Sequence, residues 1–330
     1  MKKSFIKTNM TLFVLSLMTF SANAQNWSKA DGIPSDVSIT SIQEYNGNII
    51  AFGQRMWKEG FQFFSEPKSF ISENNGKTWK EYISINNDNS TANTLLFTDG
   101  RIITSGRKGE TQLDWVGAVC VSDDNGSSWK EVEGIPSDIS ITKIQKWDGK
   151  IIAFGLRQWR EGMQFFSEPK SFVSEDNGNT WNPFISITSK ISTTNSLMIT
   201  KEGRIITSGR EGQAQLDWVG AIYFTDDNGN HWTRAEGIPT DISINEIVSY
   251  DGTLVAAGQK QWREGMNYLS EAKLYQSKDN GATWSEFIPV TSEISTAMPL
   301  VIKDGRVITA GRLGQAQMDW VGAIFYMDIK

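Results

Sequence analysis

Apolar residues along this chain fall into short runs that alternate with polar positions. Runs such as ITSIQEY (39–45), NIIAFGQ (48–54), KSFIS (68–72) and KTWKEYI (77–83) are rich in β-branched and aromatic residues. Clusters of Gly, Asn and Asp bound them. That combination predicts short β-strands joined by tight turns. No segment carries a helical period.

The runs repeat. GIPSDVSI (32–39) recurs as GIPSDISI (134–141) and GIPTDISI (237–244). WKEGFQFFSEPKSF from Trp57 recurs from Trp159 and, more loosely, from Trp262. QLDWVGA from Gln112 recurs from Gln215 and, as QMDWVGA, from Gln317. These define three units of roughly a hundred residues, about 26–128, 129–231 and 232–330. A shorter period lies inside: SENNGKTW (72–79), SDDNGSSW (122–129), SEDNGNTW (174–181), TDDNGNHW (225–232) and SKDNGATW (277–284). Their final residues, Trp79, Trp129, Trp181, Trp232 and Trp284, are 50 to 52 apart, and one step back from Trp79 lands on Trp27.

The sixth copy is therefore split between the two ends of the sequence. AIFYMDIK (323–330) lacks its turn and partner, and the segment from Trp27 lacks the strand before it. With four strands in each of six units, about 24 in all, the expected fold is all-β: a six-bladed β-propeller of four-stranded antiparallel blades, the last blade closed by the N-terminal strand. Closure of this kind removes exposed sheet edges. An open solenoid is the alternative, and it gives the split copy no purpose.

Residues 1–24 read as a secretory signal peptide. Lys2, Lys3 and Lys7 precede an apolar stretch from Met10 to Phe20, and Ala22-Asn23-Ala24 is a small-x-small cleavage site. The stretch is about half a bilayer span, and no later run is longer. The expected location is secreted or periplasmic, with Gln25 as the first mature residue and no membrane span. The whole chain carries a net charge of −6; loss of the leader leaves 29 basic against 38 acidic residues, or −9. That balance argues against a nucleic-acid partner. Cys120, in the apolar run AVCV, is the single cysteine, so an intramolecular disulfide is excluded. His231 is the single histidine and lies in a turn string. Clustered-histidine metal sites and a Ser-His-Asp triad are thereby disfavoured. No cofactor or metal is implied. Acidic turns such as Ser122-Asp123-Asp124-Asn125-Gly126 look superficially like calcium loops and fit the turn string better.

The S-x-D-x-G-x-T-W strings resemble Asp boxes, or BNR repeats, which mark sialidase-like propellers and many non-enzymatic relatives. The resemblance covers essentially all of 26–330. It implies that each box is the hairpin between the third and fourth strands of a blade, on the face opposite the ligand site. Asp holds the turn by bonding nearby backbone N–H groups, Gly takes positive φ and Trp supplies buried area. Asn74 departs from the pattern, standing where 124, 176, 227 and 279 are Asp.

If the boxes occupy one face, the second-to-third and fourth-to-first connections occupy the other. Two threefold sets of candidate ligand-binding residues follow. The even-blade set is Arg107, Gln112, Asp114, Trp115; Arg210, Gln215, Asp217, Trp218; and Arg312, Gln317, Asp319, Trp320. The odd-blade set is built on Trp57, Glu59; Trp159, Glu161; and Trp262, Glu264, each followed by a Ser-Glu-x-Lys string. Arg gives a planar fork, Asp, Glu and Gln accept from hydroxyls, and Trp stacks on a sugar ring. The structural alternative is that Arg–Asp pairs are salt bridges and the Trp residues pack between blades. These loops have drifted less among the three units than the first strands (ITSIQEY, ITKIQKW, INEIVSY).

The resemblance implies, for sialidases, three arginines on the substrate carboxylate, a Tyr nucleophile paired with Glu, and an Asp acid/base. Arg107, Arg210 and Arg312 form a threefold set. The F/Y-R-I-P motif is absent, and Tyr268 is matched by Phe63 and Phe165. No catalytic residue is therefore assigned. Repeated, near-identical units suit multivalent recognition better than the distinct acid and base environments of catalysis. The reading is a carbohydrate-binding, lectin-like propeller that takes a glycan or other small polar ligand, at three equivalent sites or one axial site. A sialidase-like exo-glycoside hydrolase and a cell-envelope protein-interaction scaffold are the alternatives.

Overall fold

The computed structural model describes residues 27–59, 62–85, 93–108, 116–162, 164–212, 219–265, 267–290, 294–298, 300–313 and 321–329. The leader expected at residues 1–24 lies outside the described residues. The short runs form 24 strands, and no helix occurs among the described residues.

Strand β1 (Ser28–Lys29) comes first in sequence and last in the ring. Blade 1 is β2 (Val37–Tyr45), β3 (Asn48–Glu59), β4 (Gln62–Ser72) and β5 (Lys80–Glu81). Blade 2 is β6 (Thr94–Thr98), β7 (Arg101–Lys108), β8 (Val116–Ser122) and β9 (Lys130–Glu131). Blade 3 is β10 (Ile139–Trp147), β11 (Lys150–Glu161), β12 (Gln164–Ser174) and β13 (Asn182–Pro183). Blade 4 is β14 (Ile191–Ile199), β15 (Ile205–Glu211), β16 (Val219–Thr225) and β17 (Thr233–Arg234). Blade 5 is β18 (Ile242–Tyr250), β19 (Thr253–Glu264), β20 (Asn267–Ser277) and β21 (Ser285–Glu286). Blade 6 is β22 (Leu300–Lys303), β23 (Arg306–Leu313) and β24 (Val321–Asp328), completed by β1.

Each blade is one four-stranded antiparallel sheet, and the sixth has the order β22-β23-β24-β1. Ser28 pairs with Tyr326 and Lys29 with Phe325, so the expected six-bladed propeller with a shared last blade is what forms. Trp27 occupies the sixth box-Trp place: it packs against the blade 5–6 core and its Nε1 donates to the carbonyl of Pro289 at 3.1 Å.

Local chemistry explains the turns. The first-to-second turns of blades 1, 2, 3, 5 and 6 carry Asn46, Asp99, Asp148, Asp251 and Asp304 at positive φ, each followed by a positive-φ Gly. Those are the residues that tolerate a two-residue hairpin. The boxes are hairpins between third and fourth strands. In blade 3, Thr180 N donates to Asp176 Oδ1 (2.9 Å), Ser174 Oγ donates to the same oxygen (2.8 Å), and Gly178 N donates to Ser174 Oγ (2.8 Å). Asn74 keeps this geometry. Its Oδ1 accepts from Thr78 N at 2.9 Å, and its Nδ2 donates to Thr78 Oγ1 at 2.8 Å, where an Asp would accept instead. Box residues Trp79, Trp181 and Trp284 are buried between blades.

The fourth strands contribute only two residues each to the ladder, shorter than KTWKEYI suggested. The opposite correction applies to odd blades. Their second and third strands are 12 and 11 residues long, against 7 or 8 in even blades. The Trp57 block and its copies are therefore the regular ends of a two-stranded arm rather than loops. About four extra residues per strand extend each arm by roughly 14 Å.

Candidate functional site

In an antiparallel meander the second-to-third connections lie at the end opposite the boxes. At that end, along the propeller axis, the innermost strands and the segments leading into them enclose a cavity of about 340 Å3, within the size range of small-molecule sites. Every blade contributes to its wall, including Thr40, Asn93, Thr142, Asn195, Asn245 and Met298. The first strands of odd blades carry a β-bulge here, between Ile39 and Ser41, Ile141 and Lys143, and Ile244 and Glu246. Lys143 of β10 forms an ion pair with the buried Glu246 of β18, bridging blades 3 and 5 across the cavity. Glu246 is the one carboxylate among the described wall residues.

Arg107 and Arg210 stand at the arm-side ends of β7 and β15. Each reaches the first strand of the next blade: Arg107 Nε donates to Ser140 Oγ at 3.1 Å and Arg210 Nε to Ser243 Oγ at 3.4 Å. Arg210 lines the cavity. Burial lowers both guanidinium pKa values from their ordinary range. A guanidinium still stays charged at neutral pH, so positive charge is held close to the axis. Arg312 occupies the matching place in β23, its backbone opposite Gly322. Gln112, Asp114, Trp115, Gln215, Asp217, Trp218, Gln317, Asp319 and Trp320 lie outside the described residues.

The odd-blade residues sit on the arms. Trp57 faces Phe64 across the strands in a stacked pair, with ring centroids 5.6 Å apart. Trp159 and Phe166 repeat that geometry, and Leu269 stands opposite Trp262. Each indole N–H donates to the carboxylate two residues on: Glu59 (3.1 Å), Glu161 (3.0 Å) and Glu264 (3.0 Å). The Arg55 guanidinium lies over Trp57 and that of Arg157 over Trp159. Each arm thus satisfies its own Trp and Glu. The structure brings these residues together as arm-stiffening ladders, neither lining the axial cavity nor packing between blades.

The GIPSD strings staple blades together. The backbone of Asp31 bridges to Thr78, Glu133 to Thr180 and Glu236 to Thr283. Gly32, Gly134 and Gly237 have positive φ and lie so close to the carbonyls of Trp79, Trp181 and Trp284 that no Cβ fits. Asp36, Asp138 and Asp241 then pair with Arg55, Arg157 and Lys260 at the arm bases. Packing accounts for the even retention of these strings.

Two further groups bear on catalysis. His231 is 91% exposed and paired with Asp227 of its own box at 2.5 Å. Tyr223 Oη donates to Glu211 at 2.5 Å, a Tyr–Glu pair that the sequence concealed, because the matching residues in the other even blades are Cys120 and Phe325. Tyr223 is 3% exposed. Burial, then the Glu211 carboxylate, push its phenol up to about 12, the reverse of what a phenolate nucleophile requires. No three His, Cys, Asp or Glu side chains cluster as metal ligands among the described residues, and no helix there is long and apolar enough to cross a membrane.

Residues 140–310, just over half of the chain, match the family model described as a BNR repeat-like domain. The chain is 26% identical over 142 residues to a sialidase of Paraclostridium sordellii, covering 37% of this chain and 33% of that protein. It is 26% identical over 200 residues to a sialidase of Clostridium perfringens, covering 50% and 52%. The chain thus matches between a third and about half of the length of these curated relatives. Among solved structures, a protein of unknown function from Dyadobacter fermentans superposes with a TM-score of 0.65 at 16% identity, covering 92% of this chain and 99% of that one. Trypanosoma rangeli sialidase in complex with sialic acid superposes with a TM-score of 0.56 at 16% identity, covering 90% and 55%.

Proposed function

The chain belongs to the BNR repeat-like, sialidase-like family, and from that premise we propose that it is an exported, lectin-like propeller that binds a glycan at its axial cavity. One observation carries this reading. The cavity wall is rich in hydrogen-bonding side chains from around the ring (Thr40, Asn93, Thr142, Asn195, Arg210, Asn245), yet its described residues hold a single carboxylate, already paired with Lys143. Glycoside hydrolysis generally takes two carboxyl groups, or a nucleophilic Tyr in sialidases, and Tyr223 is buried in blade 4 with its phenol pushed up. Binding needs only donors, acceptors and an enclosed shape. The sialidases among the relatives support a glycan as the ligand class. The leader at 1–24, cleaved before Gln25, supplies the route of export.

A glycan array with residues 25–330 tests this. Expected is binding to a defined set of glycans that is weakened in Arg210→Ala. A blank array counts against the reading. Turnover of a fluorogenic sialoside, lost in Arg210→Ala, establishes a hydrolase in its place. Capture of an envelope protein that excess sugar leaves unchanged points to a scaffold.

A further inference from the structure

Large apolar side chains are exposed at few places on this protein, and most of them lie at one end. Among the described residues, Phe64, Val116, Trp159 and Met298 are exposed at the arm end, and Tyr82, after β5, is the fifth. Phe64 and Trp159, 37% and 36% exposed, belong to the stacked ladders of their arms. Exposed apolar surface gathered on one face marks a contact surface. The arms are also balanced in charge. The first arm and its base carry Arg55, Lys58 and Lys68 against Asp36, Glu59 and Glu66, and the counterparts in the other two arms are again three against three. Residues 25–330 hold 29 basic and 38 acidic residues, or −9, so the whole acidic excess lies elsewhere. Two copies of such a chain repel each other, and they repel least at their arms.

The order of residues along each ladder matters as well. Residues two apart on a strand share a face. From base to tip, the ladder face of each second strand carries a cation, an indole and a carboxylate: Arg55, Trp57, Glu59; Arg157, Trp159, Glu161; and Lys260, Trp262, Glu264. The other face of the blade 3 arm is engaged with the body. Leu156 lines the cavity, Gln158 accepts from Arg107 at 3.4 Å, and Ser167 Oγ donates to the Ser192 carbonyl at 2.6 Å. Each indole N–H already donates to the tip carboxylate, so covering a ladder leaves that donor paired. The stacked rings are held in place beforehand, which lowers the entropy cost of contact. Two arms carry Pro67 or Pro169 on the outer edge, where blade 5 has Ala272 donating to the Ile294 carbonyl at 3.0 Å. A proline there counters strand addition, so a partner meets ladder side chains and not backbone.

We infer that the arm end is a self-association surface whose partner is a second copy of this chain, docked face to face. A partner that engages three like arms at once must itself present three like surfaces, and a second copy does so by construction. Turned over, its arms run opposite to these. Each ladder then lies antiparallel to one from the other copy, indole level with indole. The carboxylate at one tip comes beside the cation at the other's base. Arg55 and Arg157 hold Asp36 and Asp138 through Nε, and the fork of a guanidinium serves more than one carboxylate. The contact is isologous, so association closes at two copies. It is independent of the glycan-binding reading and is tested without sugar.

The test is sedimentation velocity of residues 25–330 from about 5 μM to about 1 mM, a span that covers weak association. Expected is a reversible monomer–dimer equilibrium with no larger species. Reversing the three tips together (Glu59→Lys, Glu161→Lys, Glu264→Lys) sets like charges beside the bases and weakens the dimer about tenfold or more. Reversing the three bases (Arg55→Glu, Arg157→Glu, Lys260→Glu) does the same. An equimolar mixture of the two variants restores dimerisation, because every tip then meets an opposite base. Far-UV spectra and unfolding midpoints establish that each variant is folded. Should the base variant fail that check, Trp57→Ser, Trp159→Ser and Trp262→Ser combined replace it, with loss of the dimer expected. A monomer throughout, larger open-ended species, or a dimer unchanged by tip reversal overturns the inference. Two folded charge variants that stay monomeric when mixed overturn it as well, since the antiparallel pairing then does not exist.

Discussion

Arg306 Nη1 donates to the carbonyl of Asn75 at 3.0 Å, across 231 positions of sequence. The same guanidinium grips Asp328 through two nitrogens, at 2.6 and 3.0 Å. Arg101 repeats this arrangement with Asp123 and Asn177, and Arg204 repeats it with Asp226 and Asn280. Each clamp ties an even blade to the box turn of the following odd blade. Of the three clamps, that of Arg306 joins blade 6 to blade 1, so it helps close the ring alongside the β1–β24 pairing and the Lys303–Glu44 ion pair.

Replacing Arg306, itself largely buried, with Ala removes charge-assisted hydrogen bonds to the exposed Asp328 carboxylate and to the Asn75 carbonyl. The expected loss is about 2–3 kcal/mol. Arg101→Ala should cost a similar amount. Hydrogen exchange separates them: only Arg306→Ala should speed exchange in β1 and β24.

The box carboxylates set an acid limb. Asp124 is held at about 2 by the Ser128 hydroxyl and backbone N–H, with Ser122. Asp227 is held at about 2 by the His231 backbone and the Thr225 hydroxyl. Burial pushes Asp176 upward, but the Thr180 and Ser174 bonds outweigh it and leave it at about 2. Their folded pKa values lie below the usual 3.8, so the stability they contribute is present above that pH and lost as pH falls toward 2. Thermal unfolding midpoints measured from pH 5 to pH 2 should fall over this window. Asp176→Asn should flatten the fall, and Asn74→Asp should steepen it.

Gly134 has a φ of +96°, and an added Cβ would lie 2.1 Å from the Trp181 carbonyl oxygen. Backbone strain and a backbone clash act together, so Gly134→Ala should cost about 3 kcal/mol or more. Gly149, which also has positive φ but open space around it, is the control. Gly149→Ala should cost about 1 kcal/mol. Urea unfolding of both variants reads the difference.

The arms make a local prediction. A two-stranded ribbon is marginally stable alone, and the Trp159–Phe166 pair is an apolar contact of the arm beyond the blade. Trp159→Ala should cost about 1 kcal/mol or less globally, while exchange accelerates between residues 156 and 168.

Much of the ring was legible because the boxes are a turn chemistry with fixed requirements: a Trp every 50 to 52 residues counts blades. The arms were hidden by Glu-Gly and Ser-Glu-Pro strings, which read as loops. Cross-strand pairing, with Glu66 opposite Arg55 and Phe64 opposite Trp57, overrides that reading. The axial asymmetry was in plain view and looked like drift. The third residue of ITSIQEY, ITKIQKW and INEIVSY is Ser41, Lys143 or Glu246, and only the bulge beside it reveals that this position faces the axis. The Tyr223–Glu211 pair had no signal at all, since it depends on one residue in each of two strands of a single blade.

The pairing of Ser28 with Tyr326 also has a temporal side. On a ribosome, β1 appears while its partner does not yet exist. Five blades can assemble in order from neighbouring sequence, but the sixth must wait for β24. Its loop-closure entropy is paid only then. Strand β1, made long before β24, is among the last to be placed, and until that moment it is an unpaired edge that a chaperone, or a second chain, is free to find.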